Sequence, residues 1–279
     1  MKLIPLSFDS LGVRSMATFV KTKKINILID PSAALGPKRY GLPPHILEVK
    51  RLSDHWRKIK KFVKKSDVLI VTHYHFDHHN PKEVELYKDK RVFLKHPKEN
   101  INKSQLKRSK YFIERLGELP KSIDYSDFEE FSFSSTTIKF SKAVPHGFDA
   151  RLGYVTQVCI CEDSKFIHTS DVEGFPLREQ TEFILSENPD TLILDGPMGF
   201  FTSEMRENIK KVMDETKIKK FIIDHHFLRD LRWKEKLKDF YEFAKGRCEI
   251  LSVAEFCGVE NDLLEAKRKQ LYRELEKEV

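Results

Sequence analysis

Short apolar runs that stop abruptly at a polar cluster constrain this chain more than any other feature. Ile25-Asn26-Ile27-Leu28-Ile29 stops at Asp30-Pro31, and Val68-Leu69-Ile70-Val71 stops at Thr72-His73. Phe166-Ile167-His168 gives way to Thr169-Ser170-Asp171, Thr191-Leu192-Ile193-Leu194 to Asp195-Gly196-Pro197, and Phe221-Ile222-Ile223 to Asp224-His225-His226. Runs of about four to eight residues rich in Ile, Val and Leu, bounded by turn residues, predict buried strands. The polar residues recur at the C-terminal end of each strand, where sheets covered on both faces commonly carry their chemistry.

Helical spacing alternates with these strands. Trp56, Ile59, Phe62 and Val63 predict a helix over His55 to Lys65. Phe183 to Glu187 reads weakly helical, and Ser203 to Thr216 reads as a helix with Ser203 as its cap. Ile101, Leu106, Tyr111, Phe112 and Leu116 predict a helical insertion at about 98–120. Leu264, Leu271 and Leu275 line one face of a charged C-terminal helix at about 260–279. Residues 131–160 alternate apolar and polar and predict antiparallel strands. With no internal repeat and no Gly/Ser linker, 1–279 is expected to be a single α/β domain.

Of the 279 residues 40% are hydrophobic, which suffices for a sizeable core and excludes a disordered chain. No stretch approaches the roughly 18–20 apolar residues of a spanning helix, so no membrane association is expected. Pro5 and Asp9 come too early for a signal-peptide core, so a cytoplasmic chain is expected. The Lys/Glu-rich, Gln-poor composition matches a hot environment. Four cysteines make no disulfide framework, and Cys159-Ile160-Cys161 lacks the second half of a zinc knuckle, so ordinary thiols are expected. In a strand those two cysteines would share one face. The net charge of +7 mildly favours an anionic partner but is small for a dedicated nucleic-acid binder.

The strongest chemical signal follows the second of the apolar runs: Thr72-His73-Tyr74-His75-Phe76-Asp77-His78-His79-Asn80. Imidazole and carboxylate together suit Zn, Mn or Fe. The 73/75 alternation and the adjacent 77/78 pair would send groups toward each of two neighbouring ions as the chain turns. A solvated His-rich loop is the alternative, and the apolar strand before it argues against that.

H-x-H-x-D-H resembles the signature of the metallo-β-lactamase fold superfamily, and the resemblance runs from about residue 3 to 257. Its layout is most similar to an archaeal branch of metallo-hydrolases that brings no established substrate. The resemblance implies a four-layer αββα sandwich, with Asp30 behind the ligand loop and His146, Asp171 and His225 as further ligands. His73, His75 and His146 would then hold one ion, Asp77, His78 and His225 a second, with Asp171 bridging. Two divalent ions, most readily zinc, with iron or manganese as alternatives, would share a hydroxide that attacks a carbonyl carbon or a phosphorus. Asp77, Asp171 and His226 would be the residues at the reaction itself, and Asp195 and His79 would stand behind or beside the ligands.

Each position has a plainer reading. Asp30 could end a turn before Pro31, His146 could be a surface histidine between Pro145 and Gly147, and Asp171 could cap a helix. His225 and His226 compete for one ligand position, and counting from the strand end favours His225. His79 stands where many relatives of this fold carry Gly and reads as a solvated or supporting histidine. Asp195-Gly196-Pro197 is either the rim of the site or a turn. The acid for the leaving group is open among His226, Asp195 and His168.

Lys50, Arg51, Arg57, Lys58, Lys60, Lys61, Lys64 and Lys65 could attract phosphate, but such runs are usually a solvated helix face. Asp124, Asp127, Glu129 and Glu130 interrupt any continuous basic track. A phosphodiester (nucleic acid or cyclic nucleotide) and a small ester or lactone are both open as substrates. Two rival classes remain: a non-catalytic metal-binding scaffold, and a DHH-type phosphoesterase suggested by Asp224-His225-His226. The latter lacks its upstream H-x-D-x-D, because in His75-Phe76-Asp77-His78-His79 a histidine, His79, stands where the second Asp should be. The C-terminal helix either covers the core or seams a homo-oligomer, with packing on its own domain preferred.

Overall fold

The apolar runs become strands of two separate sheets in the computed structural model, which describes residues 1–278. The first sheet holds β1 (Lys2–Phe8), β2 (Met16–Lys21), β3 (Asn26–Ile29), β4 (Val68–Val71), β5 (Arg91–Leu94) and β6 (Ser122–Tyr125), side by side in chain order. The first three strands are antiparallel neighbours and the rest continue parallel from β3, with β1, β3 and β4 running the same way. Helix α1 (Ile46–Val63) joins β3 to β4, and α2 (Lys103–Leu116) joins β5 to β6.

The chain then enters β7 (Glu130–Phe133) and β8 (Thr136–Phe140), and leaves for a small pair, β9 (Val144–Pro145) and β10 (Tyr154–Val155). It returns as β11 (Val158–Cys161), β12 (Lys165–His168), β13 (Thr191–Asp195), β14 (Lys220–Asp224) and β15 (Glu249–Leu251). The second sheet has the order β15-β14-β13-β12-β11-β8-β7, antiparallel up to β12 and parallel from β12 to β15. Helices α3 (Glu179–Glu187) and α4 (Ser203–Glu215) connect its parallel strands. Short α5 (Trp233–Lys236), α6 (Lys238–Ala244) and α7 (Val253–Phe256) precede α8 (Leu264–Glu278).

Period-two alternation sorts the strand residues into layers. Ile27, Ile29, Val68 and Ile70 meet Ile138, Val158, Ile160, Ile193 and Ile222 between the sheets. Leu28, Leu69 and Val71 instead face Ile59 and Val63 of α1 and Phe112 and Leu116 of α2. On the far side Ile167, Leu192, Leu194 and Phe221 pack against Met205, Ile209 and Val212 of α4 and Phe240 of α6. Helix, sheet, sheet and helix stack as the expected αββα sandwich. Each fully buried Ile or Leu contributes roughly 1.5–3 kcal/mol.

Helix boundaries differ from the periodicity. α1 starts at Ile46 rather than near His55, because His45 and Glu48 form a reciprocal cap: the His45 amide donates to Glu48 at 2.8 Å, and the Leu47 amide to the His45 ring at 3.3 Å. Thr202, not Ser203, caps α4, its hydroxyl accepting from the Met205 amide at 3.3 Å. In α8 Leu264 is buried while Leu275 is exposed, so the expected leucine face docks only by its first turns. Buried Arg268 reaches both carboxylate oxygens of Glu48 on α1 at 2.7 Å. Val279 lies outside the described residues. Among the described residues no helix is long and apolar enough to cross a membrane.

Candidate metal centre

Six strand ends deliver the polar residues to one edge of the sandwich. Asp9 follows β1, Asp30 follows β3, His73 follows β4, and Asp171 lies just past β12. Asp195 ends β13, and His225 follows β14. Ligand atoms of His73, His75, His146 and Asp171 lie within 4.8 Å of one another, and those of Asp77, His78 and His225 form a second such group. Asp171 stands between the groups. Its Oδ2 is 3.4 Å from His73 Nε2 and 3.1 Å from His146 Nε2, while its Oδ1 is 3.1 Å from His78 Nε2 and 3.6 Å from His225 Nε2.

Carboxylates orient several of these rings from behind. Asp30 accepts from the Thr72 amide, the Thr72 hydroxyl and His78 Nδ1, each at 2.8 Å, which turns His78 Nε2 toward Asp171. Asp9 does the same for His225, accepting from Nδ1 at 2.8 Å. Asp195 accepts from His226 Nδ1 at 2.9 Å. His79 is buried, not solvated: it donates from Nδ1 to the His75 carbonyl at 2.9 Å and packs against Phe112. Asp30, Ser170 and His225 adopt left-handed backbone angles of 50°, 57° and 60°. For residues other than Gly that conformation costs about 1–3 kcal/mol each, and here it bends the chain sharply as it leaves the strand.

That bend separates the two competing histidines. His225 turns toward Asp77 and His78, with Nε2 3.7 Å from Asp77 Oδ2. His226 does not join the Asp77 and His78 group; its ring is 5.7 Å from that of His146, and it groups with His146 and Glu173 and also with Asp171 and His225.

Electrostatics shape the donor set. Burial drives His73 well below the imidazole range, with His78 adding to the effect, and burial beside His146 takes His75 down to about 3. Their ring nitrogens therefore keep lone pairs to donate. Burial alone would raise Asp171, but His78, His225 and His73 outweigh it and hold the carboxylate ionised. Burial likewise opposes charge on His225, yet Asp171 and Asp9 push it up to about 10. Burial lifts Asp195 to about 7, with Asp171 adding, and lifts Glu173 to about 7, with Asp195 adding.

The residues fit a cation. His73 Nε2, His78 Nε2 and Asp171 Oδ1 are buried without any aligned hydrogen-bond partner, although the last two lie 3.1 Å apart. Leaving a buried polar atom unmatched costs about 1–3 kcal/mol, and a cation held by these donors would relieve that cost. Nitrogen and carboxylate oxygen donors suit zinc, iron or manganese.

Other positions resolve differently. No helix starts at Asp171, so it caps nothing. Asp224 points away from the ligands and accepts from the backbone amides of Ser10, His225 and Val253, which removes the DHH reading. His168 spends both nitrogens on backbone, at Met16 O and the Ser170 amide, and is no proton donor to substrate. Asp9, Glu173 and Arg229 escaped the sequence reading. Asp9 ends an apolar strand as Asp30 does, and Glu173 stands two residues after Asp171. Arg229 donates from Nε to Asp9 at 2.7 Å, and its Nη2 lies 3.3 Å from His225 Nε2.

Known structures share this architecture. A possible metal-dependent hydrolase from Veillonella parvula superposes with a TM-score of 0.54 at 15% identity, covering 86% of this chain and 94% of that one. Igni18, a metallo hydrolase from Ignicoccus hospitalis, gives 0.51 at 15% identity, covering 90% and 94%. The chain thus has the metallo-β-lactamase fold, which it shares with these two proteins. No family model matches it. It is 45% identical to the UPF0282 protein of Sulfurisphaera tokodaii over 98% of this chain and 93% of that protein, and 43% identical to that of Korarchaeum cryptofilum over 98% and 94%. The chain belongs to the archaeal UPF0282 family.

Proposed function

We propose that this chain is a hydrolase that holds two divalent ions at the edge of its sandwich and cleaves phosphodiesters. The observation that carries the reading is Asp171, which turns one oxygen to His73 and His146 and the other to His78 and His225. His73, His75 and His146 would hold one ion, Asp77, His78 and His225 the other, with zinc the leading choice and iron or manganese the alternatives. Such ions would activate a water near neutral pH and offset the charge that builds at the reacting centre.

The remaining chemistry belongs to the chain. Asp30 and Asp9 fix the tautomers of His78 and His225 so that each Nε2 faces inward. His226, held by Asp195 and only 7% exposed, is kept well below the usual imidazole range by burial, with Arg229 adding, so its Nε2 keeps a lone pair and would accept a proton or hydrogen bond from the reacting water or substrate. Phe76, between His75 and Asp77, is 51% exposed, and the Arg108 guanidinium lies 4.8 Å from its ring centre. The Arg108 guanidinium lies over one face of this exposed ring and puts a fixed cation next to the ligand loop, which suits a phosphate, and the net charge of +7 favours an anion over a neutral ester.

Elemental analysis of protein purified without chelator, with Asp171→Ala in parallel, tests the centre. We expect about two ions per chain in the wild type and fewer in the variant, with diester turnover lost. No bound ion after reconstitution with Zn, Mn or Fe would sink the proposal and leave a scaffold. Ion binding with turnover of lactones or carboxylic esters but no phosphodiester would reassign the substrate.

A further inference from the structure

Cys159 and Cys161 take no part in the centre described above. On β11 they project to the same face, with their sulfurs 3.5 Å apart. Cys159 is buried and Cys161 half-buried. Glu187, the last residue of α3, brings a carboxylate oxygen to within 4.8 Å of both sulfurs. The strand register sets a lysine beside each thiol: Cys159 pairs with Lys139 on β8, and Cys161 with Lys165 on β12. Both lysines reach Glu187, at 3.3 Å and 3.0 Å.

We propose that Cys159, Cys161 and Glu187 form a second, separate site for a soft divalent cation of the zinc class, tying β11 to the end of α3. The sulfur spacing decides between the uses of such a pair. Two thiolates bound tetrahedrally at about 2.3 Å from one ion stand about 3.8 Å apart, close to what is seen. A disulfide needs sulfurs near 2.05 Å and α-carbons no more than about 6.8 Å apart. Two residues along an extended strand already span about 6.6–6.8 Å, the outer limit. The ammonium groups of Lys139 and Lys165 favour ionised thiols, which an ion requires. With both thiols ionised the cluster carries one more negative than positive charge, so a cation is not repelled.

The two sulfurs lie within hydrogen-bonding distance of each other, and Cys161, the more exposed of the two, is the entry ligand. The site also lies at the opposite end of β12 from Asp171, since Cys161 is level with Lys165 at the start of that strand. Its occupancy can therefore be scored without disturbing the His/Asp centre.

Cadmium added to the full-length protein, already loaded at its His/Asp centre, is the probe. The readouts are the ultraviolet thiolate-to-cadmium charge-transfer band and protection of thiols from alkylation, neither of which histidine or carboxylate ligands can give. We expect about one thiolate-bound cadmium per chain. The band should vanish in Cys159→Ser and in Cys161→Ser, and persist in Asp171→Ala. Glu187→Gln should weaken binding about tenfold or more. Circular dichroism melts establish that each variant is folded. A folded wild type without the band overturns the site and leaves two ordinary thiols. A band that survives either serine variant overturns the chelate and points to Cys248 or Cys257.

Discussion

Asp9 accepts from His225 Nδ1 at 2.8 Å and from Arg229 Nε at 2.7 Å, so one carboxylate sets both a ring tautomer and the place of a guanidinium. Burial works against its charge, but Arg229 and His225 keep it ionised. Asp9→Asn retains the shape and loses the charge. It should weaken binding at the Asp77, His78 and His225 group about 10–100-fold while His73, His75 and His146 keep their ion. Competition against a chromophoric chelator reads the two affinities separately, and equal loss at both groups would refute the assignment. The role of Asp9 was not legible beforehand, because its partner lies 216 positions away. His79, in contrast, is placed by a bond to His75 four residues earlier, a local feature of the loop.

Helix α1 illustrates how an element carries a pH response. His55 sits on its buried face, where burial, with Lys58 and Arg51 adding, lowers it from the ordinary 6.5 to about 4. The unfolded chain takes up this proton as pH falls through about 6.5, while the folded chain resists until about 4. The contribution to stability is therefore whole above pH ~6.5 and shrinks as pH falls toward ~4, by up to about 3 kcal/mol. Thermal melts at about pH 7 and 4.5 should show a smaller drop for His55→Gln than for the wild type. An identical drop would mean that His55 does not carry it. His75 and His79 shift in the same direction, so the difference between the two proteins isolates His55. Element boundaries were partly hidden for a similar reason: α1 begins at a histidine cap that apolar spacing does not reveal.

At the scale of the molecule, the proposed ions would cross-link both sheets, since His73 belongs to the first and Asp171 and His225 follow strands of the second. A ligand bound only by the folded state at 100-fold excess over its Kd adds about 2.7 kcal/mol. Chelation should therefore lower the melting temperature of the wild type by roughly 5–10 °C, and that of Asp171→Ala by less. An unchanged wild-type melt would show that ion binding and folding are not linked. The sequence by itself determined the alternation of buried strands and helices, through apolar runs and helical spacing, and the ligand types, through His73-Tyr74-His75-Phe76-Asp77-His78, while the four-layer αββα stacking was implied only by the family resemblance that these residues carry. The alternation and the ligand types are written in neighbouring residues, where backbone geometry alone fixes the spacing. Only the tertiary structure decided that His225 rather than His226 turns to Asp77, that Asp224 serves the backbone, and that Glu187 meets Cys159 and Cys161. Those outcomes depend on a left-handed bend at His225 and on contacts between elements far apart in the chain, which no local pattern encodes.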